Sequence, residues 1–102
     1  MSDPVLPGAP SSDGWVRRQV RIRNRRGLHA RAAAKFVKVA GGFEAEVTVR
    51  RNDQQVSGLS IMGLMMLGAG PGSELLVAAR GDQATAAVDA LAALIAGRFD
   101  ED

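Results

Sequence analysis

The sequence predicts a two-layer α+β sandwich with the element order strand, helix, strand, strand, helix, strand, helix. Three observations carry this expectation. Segments of alternating polarity present one apolar face each, so the sheet they form needs a cover on one side only. Three other segments repeat apolar residues at helical spacing and can supply that cover. Glycines and capping residues stand at the joints between the two kinds of segment.

Each element follows in chain order. "MSDPVLPGAPSSDG", residues 1–14, holds three of the four prolines among Ser, Gly and Asp, and is expected to be a disordered leader. In "VRRQVRI", Val16, Val20 and Ile22 fall on one side and Arg17, Gln19 and Arg21 on the other, with Arg18 breaking the apolar side. A half-buried strand is predicted. Ala33, Phe36, Val37 and Ala40 then recur at helical spacing until Gly41-Gly42 stops the helix. "FEAEVTVR" predicts a strand with Phe43, Ala45, Val47 and Val49 facing in, and Asn52-Asp53 a hairpin turn into a short strand near Gln55 to Ser57. Ser60 is placed as the N-cap of "IMGLMML", a helix packing through Ile61, Leu64 and Met65 and broken by "GAGPG". "ELLVAAR", residues 74–80, is the fourth strand. Asp82 is expected to cap a last helix with Ala84, Val88, Leu91 and Ile95 on one face, ending at Gly97. The predicted domain therefore spans 15–97, with an acidic tail over 98–102.

Composition narrows the function. The 102 residues suit one domain with a small core, and the absence of cysteine excludes disulfides and thiolate metal sites. With one histidine and scattered carboxylates, neither a metal nor a cofactor is expected. The N-terminus lacks the pattern of a secretory signal, and "IMGLMMLGAG" is too short to span a bilayer, so a cytoplasmic monomer without membrane partners is expected. The net charge of +2 conceals an asymmetry: Arg17, Arg18, Arg21, Arg23, Arg25, Arg26, Arg31, Lys35 and Lys38 lie between Gly14 and Phe43 with no acidic residue among them. Such a run is either a solvated face with its counter-charges elsewhere or a surface that steers an acidic protein, a phosphate or a nucleic acid.

The single histidine sits in "GLHARAAAKF", at the N-terminal lip of the first helix. There the opening backbone N–H groups have no intrahelical acceptor, and the helix dipole favours an anion. The same field disfavours imidazolium, which keeps His29 neutral and nucleophilic. A phosphoryl group on its ring would face backbone donors, with Arg31 able to add charge-assisted hydrogen bonds. Gly27 permits the tight approach turn. A surface histidine acting as a simple cap is the plainer reading. Ser60 has two readings as well: a structural cap, or a cap whose phosphorylation adds ~2 negative charges where the dipole tolerates them.

"GLHARAAAKFVKVA" resembles the active-site motif of the HPr family, the histidine-containing phosphocarriers of the bacterial phosphoenolpyruvate-dependent phosphotransferase system. "SGLSIMGLMMLGAGPGSELLVAARGD" is similar to the family's second signature, around a regulatory serine. The likeness covers about residues 15–97. It implies an open-faced β-sandwich, a four-stranded antiparallel sheet with three helices on one face. It also implies that His29 is phosphorylated through Nδ1 by an Enzyme I-type donor, with Arg31 assisting. His29 then passes the group to a histidine of an IIA-type acceptor; the chain is no enzyme on its own. By the same likeness Ser60 is the target of a serine kinase and phosphatase. The likeness further implies that Ala30, Arg31, Ala34, Lys38, Ile61, Met62, Met65 and Met66 form one docking patch beside His29, where flexible methionines suit several partners.

Two positions depart from the pattern. Ala32 stands where the family commonly has proline after the arginine, and Leu59 stands before Ser60 where some members have lysine. With the leader, these departures resemble the alphaproteobacterial branch, whose members often serve a regulatory, nitrogen-related chain instead of sugar transport. A small basic nucleic-acid-binding module is the alternative from another class. Aromatics make up only 4% of the chain, however, and none pairs on the basic strand to stack bases.

Overall fold

The computed structural model describes residues 13–101, so the predicted leader lies, but for Asp13 and Gly14, outside the described residues. The elements are β1 (Val16–Arg21), α1 (Ala30–Ala40), β2 (Glu46–Arg51), β3 (Gln54–Ser57), α2 (Ile61–Met66), β4 (Glu74–Arg80) and α3 (Ala84–Ala96). The predicted order is the observed one. The four strands form one antiparallel sheet in the order β1-β4-β2-β3, and three helices accompany it.

The register explains both faces. Val16 lies opposite Ala79 and Val49 opposite Val77, and all four are buried towards the helices with Val47 and Leu75. Phe36 from α1, Leu64 from α2 and Val88, Leu91 and Ile95 from α3 close the core over them. On the open face the charges are matched across the ladder. Arg21 is opposite Glu74 and bonds it at 2.9 Å, and Arg80 is opposite Glu46 at the same distance. Exposed pairs of this kind contribute only about 0–1 kcal/mol each, so their role is to fill the face with neutralised charge.

Arg18, the residue that interrupts the apolar side of β1, belongs to an edge strand. It reaches Asp89 on α3 at 2.8 Å. A charge pointing towards the covered face of an edge strand discourages pairing with another chain.

The structure corrects three boundaries. β2 starts at Glu46, not Phe43, because Glu44 is bound to the loop before α3: its N–H donates to Gln83 Oε1 at 2.7 Å and its carbonyl accepts from the Gln83 N–H at 3.0 Å. Gln83, not Asp82, is the N-cap residue of α3, and its own side chain makes no cap bond. Residues 98–101 are no tail. A 3-10 turn over Arg98–Asp100 folds back on the domain and buries Phe99 completely.

This turn is costly locally. Arg98, Phe99 and Asp100 have φ of 58°, 54° and 60°, a left-handed conformation that disfavours L-residues by roughly 1–2 kcal/mol each. Burial of the Phe99 ring offsets about 2–3 kcal/mol of that. Lys35 of α1 adds a charged hydrogen bond of about 1.5–3 kcal/mol, its Nζ donating to the Phe99 carbonyl at 2.6 Å. The hook is thus held from two sides.

Candidate functional site

The loop between β1 and α1 is built to bring His29 to the lip of the helix. Gly27 has φ +66°, and a Cβ there would lie 2.3 Å from the Ala69 carbonyl oxygen. Only glycine lets the two loops meet, and the Leu28 N–H then donates to that same carbonyl at 2.9 Å. Asn24, fully buried, closes the turn by donating from Nδ2 to the Gly27 carbonyl at 2.7 Å. Its Oδ1 is buried without a partner among the described residues.

His29 is the N-cap residue of α1 in extended conformation, and its side chain makes no cap bond. Its carbonyl accepts from Ala33 N–H at 2.8 Å, which opens the helix, while the N–H groups before Ala33 have no acceptor within the helix. No acidic residue stands in this first turn. The start of α1 thus carries neither a cap bond from His29 nor an acidic side chain. Ala32 is fully buried and the helix begins without proline. Arg31 is exposed and has no ion pair or hydrogen bond among the described residues.

The imidazole is not alone. Its Nε2 lies 3.0 and 2.9 Å from the two carboxylate oxygens of Glu101, carried there by the hook. Asn24 Nδ2 donates to the same carboxylate at 2.9 Å. The bond from the His29 ring, and after it the bond from Asn24, hold the Glu101 carboxyl below the usual carboxylate range; burial opposes them and the Lys35 charge adds a little. Nδ1 has no hydrogen-bond partner among the described residues. Sequence reasoning missed Glu101, Asn24 and Phe99. The available signal was Phe99 two residues beyond the C-capping Gly97, where apolar residues often fold back on a helix end.

The second helix start is built differently. Ser60 Oγ accepts the Gly63 N–H at 2.9 Å, so the predicted cap is present. α2 has only six residues, and of these only Leu64 is buried; Leu67, just after it, supplies the second anchor. Ile61 and Met65, expected to pack on the sheet, are instead 41% and 42% exposed, because so short a helix keeps one inward stripe. Met62 and Met66 are more exposed still, at 74% and 68%, and Leu59 joins them. α1 packs against α2 and shows Ala30, Arg31, Ala34 and Lys38 to solvent, so the predicted patch residues are all exposed on two neighbouring helices.

The charge asymmetry divides in two. Arg17, Arg18 and Arg21 have acidic partners and Lys35 holds the hook, which fits the solvated reading. Arg23, Arg25, Arg26, Arg31 and Lys38 have no such partner among the described residues, and all lie in the β1–α1 loop or on α1. A concavity of about 620 Å³ lies between β1 and α3, and no candidate site residue lines it. The site is an open lip beside an apolar surface, not a pocket.

An open-faced sandwich with its lone histidine on an uncapped helix end has the form of a protein that presents a group to other proteins. Residues 16–97 match the family model described as "PTS HPr component phosphorylation site". The chain is 49% identical to the phosphocarrier protein HPr of Cupriavidus necator, over 84% of this chain and 97% of that one. It is 43% identical to the phosphocarrier protein NPr of Shewanella violacea, over 84% and 94%. A crystal structure of HPr from Thermoanaerobacter tengcongensis superposes with a TM-score of 0.81 at 38% identity, covering 84% of this chain and 97% of that chain. The chain belongs to the HPr family of phosphocarrier proteins.

Proposed function

We propose that His29 is the phosphoryl carrier. Its Nδ1 attacks the phosphorus of a phosphohistidine on an Enzyme I-type donor, itself charged from phosphoenolpyruvate, and His29 later delivers the group to a histidine of an IIA-type acceptor. One observation carries this assignment: the only imidazole of the chain stands at an uncapped helix N-terminus with Nδ1 unengaged among the described residues. The open N–H groups and the dipole receive the phosphate oxygens, and Arg31 meets the charge as it passes between two imidazoles. Transfer needs partners, so the chain alone turns nothing over, and we place it in the cytoplasm as a monomer.

The docking surface in this reading is the exposed apolar face of α2, with Leu59, Met62 and Met66, together with Ala30, Arg31, Ala34 and Lys38 of α1. Its unpaired cations suit acidic partner surfaces. Ser60 is the regulatory position in the same surface. A kinase that modifies it must draw Oγ away from the Gly63 N–H, and a phosphate there places its charge on the docking face.

The test is direct. Incubation with phosphoenolpyruvate and the cognate upstream enzyme should add one acid-labile phosphate by intact mass, and His29→Ala should add none. A phosphate that survives acid, or appears on the alanine variant, overturns the assignment. The likeness to the Shewanella violacea NPr favours a second reading, a nitrogen-related regulatory chain without sugar transport. Rates of transfer to a nitrogen-type and a sugar-type IIA protein separate the two.

A further inference from the structure

Resting on the carrier role of His29, we propose that Glu101 is a positioning residue for the transfer, holding the proton on Nε2 before and after the phosphoryl group arrives on Nδ1. The geometry has four parts. Both carboxylate oxygens face Nε2, at 3.0 and 2.9 Å. Asn24, buried in the turn before His29, holds one of them at 2.9 Å. Phe99 in the core and Lys35 on its carbonyl fix the hook that carries the carboxylate. Three successive left-handed residues form that hook, and such strain persists only where the surroundings enforce it.

A carboxylate can only accept from the ring, so Nε2 carries the hydrogen, and in the neutral ring that attacks Nδ1 is the nitrogen with the lone pair. In transfer, the P–N bond on the donor breaks and its electron pair stays on the donor nitrogen. Nδ1 forms the new P–N bond with its own pair. The Nε2 proton does not leave, so the phosphorylated ring bears one positive charge, set against the Glu101 carboxylate. Onward transfer then expels a neutral imidazole, a far better leaving group than imidazolate. Lys35 of α1 is the other charge acting on the Glu101 carboxylate, with Arg31 two residues after His29 and Arg98 and Asp100 next to Glu101 in the chain. The β1–α1 loop contributes the neutral Asn24 amide, with Arg23, Arg25 and Arg26 exposed around it.

Because the chain has one histidine, its ring is read without ambiguity in the full-length 15N-labelled protein. The unphosphorylated wild type should show the Nε2–H tautomer, and Glu101→Ala a mixture nearer that of free histidine. Glu101→Gln keeps an acceptor oxygen for Nε2–H and Asn24 and should keep the tautomer, so it separates lost charge from a loosened hook. After phosphorylation by the upstream enzyme, 31P titration should place the ring-deprotonation midpoint of both variants about one pH unit below wild type. Above both midpoints that shift leaves about tenfold less protonated ring, and onward transfer slows about tenfold in kcat with little change in KM. Wild-type midpoints in both variants, or an unshifted tautomer in Glu101→Ala, overturn the proposal. Failure of the wild type to accept phosphate overturns the carrier reading instead, while the tautomer measurement still decides whether Glu101 holds the ring.

Discussion

Two helices that pack on one another in this protein, α1 and α2, have N-termini finished in opposite ways. At α2 the cap residue Ser60 turns its own hydroxyl onto the Gly63 N–H. At α1 the cap residue His29 turns its ring away, onto Glu101, and no side chain among the described residues satisfies the first turn. A serine-type cap is worth about 1 kcal/mol over a non-capping residue, so leaving α1 open is a cost borne by the longer helix. The difference separates a helix end closed by its own cap from one that the proposed carrier role would use for a phosphoryl group. It also locates chemistry more sharply than charge does, since cations flank β1 as densely as they flank α1.

Breaking the open end at its support should have the largest effect. Gly27→Ala forces a Cβ against the Ala69 carbonyl in a left-handed conformation, and should cost roughly 2–5 kcal/mol of stability by denaturant unfolding and most of the transfer rate. Gly70→Ala is the matched control. A Cβ there meets nothing within 4 Å, and both measurements should stay near wild type. Equal damage from the two would mean that the loop contact does not position His29.

Next in size is Arg31→Ala. Arginine to alanine on an exposed first turn costs little helix propensity, so circular dichroism should remain native. Loss of one charge-assisted contact of about 1.5–3 kcal/mol in the transition state corresponds to roughly a 10- to 100-fold slower phosphorylation. An unchanged rate would leave the open backbone N–H groups as the sole anion receptor and remove Arg31 from the chemistry.

The two ends were not equally legible in the sequence. Element order, the sheet and the Ser60 cap could be read from local patterns, because alternation, capping and glycine stops act over a few residues. Gly27, His29 and Arg31 were legible as a candidate site because the features it combines, a tight turn, a helix start and a cation, are adjacent in the chain. Glu101 was not. Its contact with His29 spans 72 positions and depends on Phe99 entering the core through three left-handed residues, which no propensity predicts. The start of β2 failed for a similar reason: Phe43 and Ala45 keep the strand alternation, but the exchange of bonds between Glu44 and Gln83 lies 39 residues apart. Ile61 and Met65 were misplaced because helical spacing says which residues share a face, not how much of a six-residue helix reaches the sheet.

At the closed end, Ser60→Ala should lower stability by about 1 kcal/mol, through the lost bond to Gly63, and leave the phosphorylation rate of His29 unchanged. Equilibrium unfolding and a transfer assay on the same sample check both halves. A stability loss below the error of the measurement would mean that Ser60 is present for modification and contributes nothing as a cap. A changed rate would mean that the two ends are coupled even without phosphate.

The smallest expected effect is that coupling once Ser60 is phosphorylated. In the proposed docking surface the new charge would lie on the face that meets the donor, and a donor that complements Arg31 and Lys38 would itself be acidic there. At physiological salt the screening length is ~8 Å, so repulsion acts at the interface and only weakly on the ring of His29. A screened, solvent-exposed repulsion amounts to about 0.5–1 kcal/mol, which is roughly a two- to fivefold weaker encounter. It should appear in KM for the upstream enzyme and yield to a higher concentration of that enzyme, with kcat unmoved. Ser60→Asp should show part of it, having less charge and shorter reach. Rates measured against donor concentration for the unmodified, Ser60→Asp and phosphoserine forms decide the matter: three coincident curves make Ser60 a cap and nothing more, while a fall in kcat alone means that the phosphate disturbs the open end of α1 through the packed helices and not the encounter.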